Sequence, residues 1–545
     1  MKKILAQITQ DLIEAKPANR QDLLKIVRRG AGKFKIDQPR NSSLLKTYHT
    51  LLKNKTIEAD KNLEGLLKKA EIRTLSGVAP ITVLTKPAGC RNACVYCPTE
   101  ARMPKSYLSN EPAVMRAILS KWDPYVQMKV RIRALKENGH ATDKLEVIVI
   151  GGTWSYHQRN YQNWYIKRLY DGANSSPLLP YDAPFQKEKG ARTLAEAQKI
   201  NETADNRIIG LTLETRPNCI TPQELRRFRK FGCTKVEMGV QHLDNKVLKL
   251  INRGHDVEES IRATKLLKDA GFKICYHMMP GLPGSTPEKD VENFKTLFSD
   301  QRFQPDMLKV YPTAVTKNAV LYKWLQEGKY KPYTKEERFE MLLQIKEAVP
   351  YHCRIIRLIR DIPSVSIVAG NKVTNLREML QQQLASQGKS CKCIRCREAR
   401  NRTTNLNEAV LVTRKYQASD GIEYFISYES RDNKILYAFV RLRIPSHVPQ
   451  NKPDDSELLK LLPDLKGAAL IRELHTYGKL VPLTSEKSEA VQHAGFGRRL
   501  MAEAERIVKD LGIKKIAVIS GIGVRGYYEK LGYEVEDTYM TKEIT

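Results

Sequence analysis

Three cysteines, Cys90, Cys94 and Cys97 in the run Cys-Arg-Asn-Ala-Cys-Val-Tyr-Cys, constrain this chain more than any other feature. The CxxxCxxC spacing lets three thiolates of one tight loop face a single point. That supplies three corners of a four-iron–four-sulfur cluster and leaves one iron without a protein ligand. An iron left open can chelate the amino and carboxylate groups of S-adenosylmethionine (SAM) and pass one electron to its sulfonium. A zinc loop is the competing use of such a triad, but zinc normally closes its shell with a fourth ligand, typically from a second pair. No cysteine or histidine follows Cys97 until His140, so the spacing favours the cluster.

The surrounding pattern predicts a scaffold suited to this loop. From about residue 80, short β-branched runs alternate with helical stretches: Ile81–Leu84, Val147–Ile150, Ile208–Leu213, Lys235–Val240, Lys273–His277 and Leu308–Tyr311. Six strands separated by helices predict parallel βα units, hence an α/β partial (βα)6 barrel. Chemistry in such folds sits on loops at the carboxyl ends of the strands, and the cysteine loop follows the first strand. Gly151-Gly152-Thr153 follows the second, where glycines let backbone approach a ligand and carbonyls can accept the amino group of SAM. Glu214-Thr215-Arg216, Gln241-His242 and the stiff turn Met279–Gly284 end the next three. Each alone is ordinary turn chemistry; their shared rim gives them weight. Segment 154–207 interleaves Trp154, Tyr156, Tyr161, Trp164, Tyr165 and Tyr170 with Arg159, Lys167 and Arg168. Such a segment could stack bases, but a packed helix face is the expected reading.

Past the barrel, Cys391, Cys393 and Cys396 in a basic CxCxxC loop predict three zinc ligands, with Cys353 or His352 available as a fourth. Then the character changes. Ala409–Thr413, Glu423–Ser427 and Lys434–Arg443 read as successive antiparallel strands, followed by Ala468–Leu474. Gln492-His-Ala-Gly495-Phe496-Gly497-Arg498 opens a helix running from Gly495 to Leu511. A glycine turn at a helix start aims free backbone N–H groups at one point, which suits a pyrophosphate. Ile516–Ser520, a helix bearing Tyr527-Tyr528 and a final strand complete the order of a GNAT-type acetyltransferase domain that binds acetyl-CoA.

At 545 residues the chain is long enough for two or three domains. Its 92 Lys+Arg against 61 Asp+Glu leave a net charge of +31, and a polyanionic partner is the economical explanation. A membrane is disfavoured by the lack of a long apolar run or lipidation motif. Ten cysteines, six of them in two tight clusters, fit metal ligation in a reducing cytoplasm. Residues 1–75 carry 17 Lys+Arg against 8 Asp+Glu on helical patterning, either a solvated appendage or an arm that contacts nucleic-acid phosphates. The expected division is 1–75 basic helical arm, 76–345 radical-SAM domain, 346–405 linker with the zinc loop, and 406–545 acetyltransferase domain.

The combination of these parts resembles the catalytic subunit of Elongator, in a bacterial or archaeal stand-alone form. Specific stretches carry the resemblance: Leu84-Thr-Lys-Pro, Asp361-Ile-Pro, Gly370-Asn-Lys, Asn375-Leu-Arg, Arg472-Glu-Leu-His-Thr-Tyr-Gly and Gly526-Tyr-Tyr-Glu-Lys-Leu-Gly-Tyr. It implies modification of carbon 5 of the transfer-RNA wobble uridine. SAM would be cleaved to a 5′-deoxyadenosyl radical, the acetyl methyl of acetyl-CoA would become the attacking carbon, and thioester hydrolysis would leave carboxymethyluridine. It also implies transfer RNA as partner, an electron donor such as ferredoxin or flavodoxin, and a homodimer as one assembly. By position, Cys90, Cys94 and Cys97 would bind the cluster and Gly151 and Gly152 would lie near SAM. Gln492, Gly495, Phe496, Gly497 and Arg498 would hold acetyl-CoA, with Tyr527 and Tyr528 near its thioester; His475 matches a family position without an assigned role. Eukaryotic members space the first two cluster cysteines more widely, and some lack the zinc cysteines, so zinc would be structural. The alternatives are a protein lysine acetyltransferase with a structural cluster and a non-catalytic RNA-binding protein.

Overall fold

The structure, a computed structural model, describes residues 1–68, 74, 77–175, 190–400, 406–448, 456–477 and 495–545. The chain opens with four helices, α1 (Lys2–Ala15), α2 (Arg20–Lys33), α3 (Asn41–Lys53) and α4 (Lys61–Leu67). Asn19 and Asp60 cap α2 and α4 by accepting two backbone N–H groups each, the groups a helix start leaves unpaired. Ile8, Leu12, Leu23, Val27, Leu44, Tyr48 and Leu63 form a core belonging to these helices alone. The basic segment is thus a packed unit rather than loose amphipathic pieces.

The first sheet is wholly parallel and runs in chain order. Its strands are β1 (Ala79–Leu84), β2 (Lys144–Ile150), β3 (Arg207–Thr215), β4 (Cys233–Gln241), β5 (Lys273–Met278), β6 (Met307–Val310) and β7 (Arg354–Arg357). The six expected strands are all present. The seventh, Arg-Ile-Ile-Arg, comes from the stretch read as linker: two apolar residues between arginines carry too little period-2 signal to mark an edge strand. Parallel neighbours need crossovers, so helices cover the outer face and every residue of β4 is buried. The aromatic insertion packs as expected. Helix Arg159–Asn174 buries Tyr165, Ile166, Leu169 and Tyr170, while Trp154 meets Phe231 edge-on at 6.1 Å.

The second sheet contains β8 (Val410–Ala418), β9 (Gly421–Glu429), β10 (Leu436–Ile444), β11 (Ala468–Thr476), β12 (Lys515–Val518), β13 (Glu534–Glu536) and β14 (Tyr539–Glu543), in the order β13-β14-β12-β11-β10-β9-β8. The expected final strand is a hairpin, β13–β14. All pairs are antiparallel except β11–β12, whose registered pairs stop at Ile471 and Val518 while β11 continues beside β10 to Thr476. That leaves a cleft at the middle of the sheet, and helix Phe496–Asp510 packs beside it on β9–β11, burying Leu500, Met501, Ala504 and Val508.

The two sheets meet through a core. Leu470, Ile519, Ile522 and Tyr539 of the second pack in one apolar cluster with Phe228, Leu267 and Phe272 of the first. Buried ions run through the same interface. Arg472 on β11 donates to Asp306 before β6 at 3.0 Å and to Glu423 on β9 at 3.2 Å. Arg443 on β10 donates to Asp269 at 2.6 Å, and Arg441 donates to Glu473 at 2.9 Å. Lys268 lies 3.4 Å from Glu423, and burial, only partly offset by Glu423 and Asp306, pushes its pKa down to about 8. Charges this deeply buried are tolerated only when paired and hydrogen-bonded. The Arg472-Glu473 stretch singled out in the sequence is the tie between the halves.

Candidate active site

The cysteine loop is held from both sides by backbone. Val95 N–H donates to Ile251 O at 3.1 Å, Leu321 N–H donates to Val95 O at 2.8 Å, and Cys97 N–H donates to Cys94 O at 3.0 Å. Cys94 is buried, with Cys90 and Cys97 half-buried. Burial disfavours the Cys94 thiolate, but the Arg253 guanidinium, 3.7 Å from its sulfur, and Arg216 nearby hold its pKa below the ordinary thiol value. At Cys97, burial and the Cys94 charge outweigh the opposing Lys105 and Arg360 and push the thiol up to about 11. The three sulfurs are too widely set to join any group of ligand atoms within 4.8 Å of one another, the span of a single-ion site among the described residues. All three cysteines line one cavity. This donor set fits a cluster with one open iron better than it fits zinc.

Opposite the thiols lie the glycines after β2. Gly151 has φ of +125°, and a Cβ there would come within 2.2 Å of Thr85 Oγ1, so only glycine permits this close approach of β1 and β2. Thr85, from the Leu84-Thr-Lys-Pro stretch, donates to Gly151 O at 3.2 Å. Further groups line the floor between the sheets. His277 on β5 sits 3.0 Å from Glu237 on β4 and 3.6 Å from Glu214 at the end of β3. Lys309 on β6 pairs with Glu237, and Lys235 on β4 with Glu146 on β2. Burial opposes ionisation of Glu146, yet Lys235 and Lys273 bring its pKa down to about 2. Lysine thus occupies the position a metal would need beside Glu237, Cys275 and His277, the second compact ligand group.

All of this faces one cavity of about 1450 Å³. Its lining also includes His475 of the second sheet and Gly495, Gly497, Arg498, Tyr527 and Tyr528 from the helices packed with that sheet. Gly495, at φ of +71°, starts helix Phe496–Asp510. A Cβ on Gly497 would approach the Tyr527 hydroxyl to 2.9 Å, so the glycine seats that phenol. His475 lies parallel to Phe439 at 6.1 Å and tilted against Tyr477 at 4.3 Å, which orients the ring. Phe496, expected beside the ligand, instead packs in the domain core against Tyr428 and Tyr437, 2% exposed. Gln492 lies outside the described residues. Gln241 and Met279 reach the cavity, whereas His242 turns away to Asp290 at 3.2 Å. Glu237, His277 and Lys309 escaped the sequence reading because only their strand positions mark them, and Arg253 because it sits in a loop after helix Asn245–Leu250.

The second cysteine group is compact. Cys391, Cys393 and Cys396 bring their sulfurs within 4.8 Å of one another, and neither Cys353 nor His352 joins them. His352 stacks on Tyr416 at 4.0 Å instead. Cys396 accepts from Gln381 at 3.3 Å and Lys346 at 3.7 Å, and side-chain bonds from Cys391 and Cys393, with Lys346, hold its pKa far below the ordinary value.

The fold and this rim define a radical-SAM protein. The Radical SAM superfamily model matches residues 85–297, and the Radical_SAM C-terminal domain matches residues 305–386. Such a domain implies a four-iron–four-sulfur cluster and SAM, as the cysteine triad requires. Among known proteins, the chain is 40% identical over its whole length to the tRNA uridine(34) acetyltransferase of Methanocaldococcus infernus, covering 99% of it. It is 36% identical to human Elongator complex protein 3 over 99% of the chain and 96% of that protein. The solved archaeal protein from Methanocaldococcus infernus, lacking residues 1–46, superposes with a TM-score of 0.72 at 40% identity, covering 86% of this chain and 99% of that one. The chain belongs to the family of tRNA uridine(34) acetyltransferases and Elongator complex protein 3, and it is an enzyme.

Proposed function

We propose that this enzyme modifies carbon 5 of uridine 34 in transfer RNA, joining a carboxymethyl group derived from acetyl-CoA by radical-SAM chemistry. One observation supports the reading above the others: a single cavity is lined both by Cys90, Cys94 and Cys97 and by Gly497, Tyr527 and Tyr528. A protein acetyltransferase with a structural cluster has no use for that continuity. Bound to the triad, the cluster would supply the electron that cleaves SAM. Arg253 steadies the Cys94 thiolate, and Gly151 and Gly152 leave room and carbonyls for the SAM amino group. Gly495, Gly497 and the first turn of helix Phe496–Asp510 offer backbone N–H groups to the acetyl-CoA pyrophosphate. Arg498 adds charge there, and Gln492 belongs to the same run. Tyr527 and Tyr528 can donate to the thioester oxygen. Burial raises both phenols above their ordinary pKa, so they remain protonated donors at neutral pH.

Three further assignments accompany this reading. Residues 1–75 form the transfer-RNA-binding unit; Cys391, Cys393 and Cys396 hold a structural zinc; and the protein works in the cytoplasm with a one-electron donor. No described helix is long and apolar enough to cross a membrane. The test is mass spectrometry of nucleosides after the reduced, reconstituted enzyme meets SAM, acetyl-CoA and bulk transfer RNA. Carboxymethyluridine that depends on all three supports the reading; acetyl-lysine without 5′-deoxyadenosine would overturn it.

A further inference from the structure

The cysteine loop has a second exposed side. Beyond β6 the chain crosses behind it, tied by Thr99 N–H to Asn318 O at 2.8 Å and by Leu321 N–H to Val95 O at 2.8 Å. Between this crossing and the loop lies a separate cavity of about 320 Å³. Cys94 and Cys97 line it together with Lys105, Lys317, Val320 and Lys323, and no carboxylate does. Lys317 and Lys323 are exposed, and neither forms an ion pair among the described residues. Val320 is 48% exposed beside them. Cys94 and Cys97 therefore line both the large cavity and this lysine-rimmed, partly apolar hollow.

We propose that this hollow docks a small acidic one-electron carrier protein. The inference rests on the proposed function, in which each SAM cleavage consumes one electron. A reduced carrier loses one electron and the SAM sulfonium gains it; the sulfur–C5′ bond then breaks to methionine and a 5′-deoxyadenosyl radical. Electron transfer falls off steeply with distance, so the carrier must dock where the thiols come nearest the surface away from the substrates. The hollow meets that need without occupying the reaction cavity. A lysine rim around one exposed apolar residue suits the weak, charge-steered association of electron-transfer partners. The rival occupant for surplus lysines is transfer RNA, but the basic helical unit α1–α4 packs elsewhere, against helix Pro124–Glu137.

The experiment uses full-length enzyme with Lys317→Glu and Lys323→Glu combined, and a bacterial flavodoxin as probe. Three quantities are read: flavodoxin affinity by calorimetry at several salt concentrations, 5′-deoxyadenosine formed with reduced flavodoxin against dithionite, and transfer-RNA affinity. We expect flavodoxin affinity and flavodoxin-driven cleavage each to fall about tenfold or more, with a flatter salt dependence. Dithionite-driven cleavage and transfer-RNA affinity should stay within about twofold of the parent. Unchanged flavodoxin affinity would overturn the proposal, as would loss of transfer-RNA binding with flavodoxin binding retained. If the parent enzyme cleaves no SAM even with dithionite, the functional reading fails instead, and the binding measurement still decides whether this surface receives the carrier.

Discussion

Gly497 shows how a single missing methyl group shapes the cavity. A Cβ there would crowd the Tyr527 hydroxyl, so the sequence motif that suggests pyrophosphate binding also positions a phenol. Gly497→Ala is expected to push Tyr527 aside and weaken acetyl-CoA binding about tenfold while iron content stays at the parent level. Calorimetry with acetyl-CoA alone measures this, and unchanged affinity would mean that neither the turn nor the tyrosine touches the ligand. The cysteine spacing was readable because cluster chemistry leaves few alternatives. Arg253 was not, since its role depends on a fold that carries it 3.7 Å from a sulfur 159 residues earlier.

Among the elements, the first six strands of the parallel sheet were legible because their short β-branched runs stand between helical stretches. The edge strand β7 was hidden by its brevity, and the β13–β14 hairpin by a three-residue first strand, Glu534–Glu536, that is wholly exposed. The loop proposed to hold zinc lies between β7 and β8, with Cys391 and Cys393 in the core shared with the barrel. Cys393→Ser is expected to release zinc and lower the melting temperature by several degrees, since a thiolate ligand is removed from a site with three cysteines. Metal analysis beside a thermal melt checks it; full zinc occupancy in the variant would remove the assignment. The helical unit α1–α4 has its own core, so deleting residues 1–75 should leave SAM cleavage and acetyl-CoA binding intact. Transfer-RNA affinity should fall, and the slope of log affinity against log salt should drop by roughly 0.7 to 0.9 for each phosphate that the unit neutralises. A slope equal to the full-length value would make the unit a solvated appendage.

At the scale of the molecule, the joint between the sheets was out of reach of sequence reasoning, because its partners are far apart in the chain: Arg472 and Asp306 are separated by 166 residues. Burial tends to raise the Asp306 pKa, but Arg472, Lys268 and Arg441 overcome this and hold it well below the usual carboxylate range. A carboxylate depressed in the folded state stabilises the fold above its unfolded pKa of about 3.9, and that contribution is lost as pH falls below it. Asp306→Asn, which takes one carboxylate from Arg472, Lys268 and Arg441 and leaves them Glu423 and Glu473, should therefore cost roughly 3 kcal/mol at neutral pH. The gap from the parent should narrow below about pH 4, as seen in urea midpoints across a pH series. A gap that is constant with pH would show that the charge of Asp306 is not what holds the joint.

That joint also acts as a ruler. Two bodies on a flexible linker could adjust the span between their sites by swinging, but a shared core and buried ion pairs fix the distance from the cysteine loop to the glycine turn. Travel is left to the reactants, and the cavity sets the length of the reach between them. A change at the joint that spared both pockets would alter the gauge rather than either tool. Its signature would be uncoupling: SAM consumed and acetyl-CoA bound at normal rates, with little modified nucleoside to show for either.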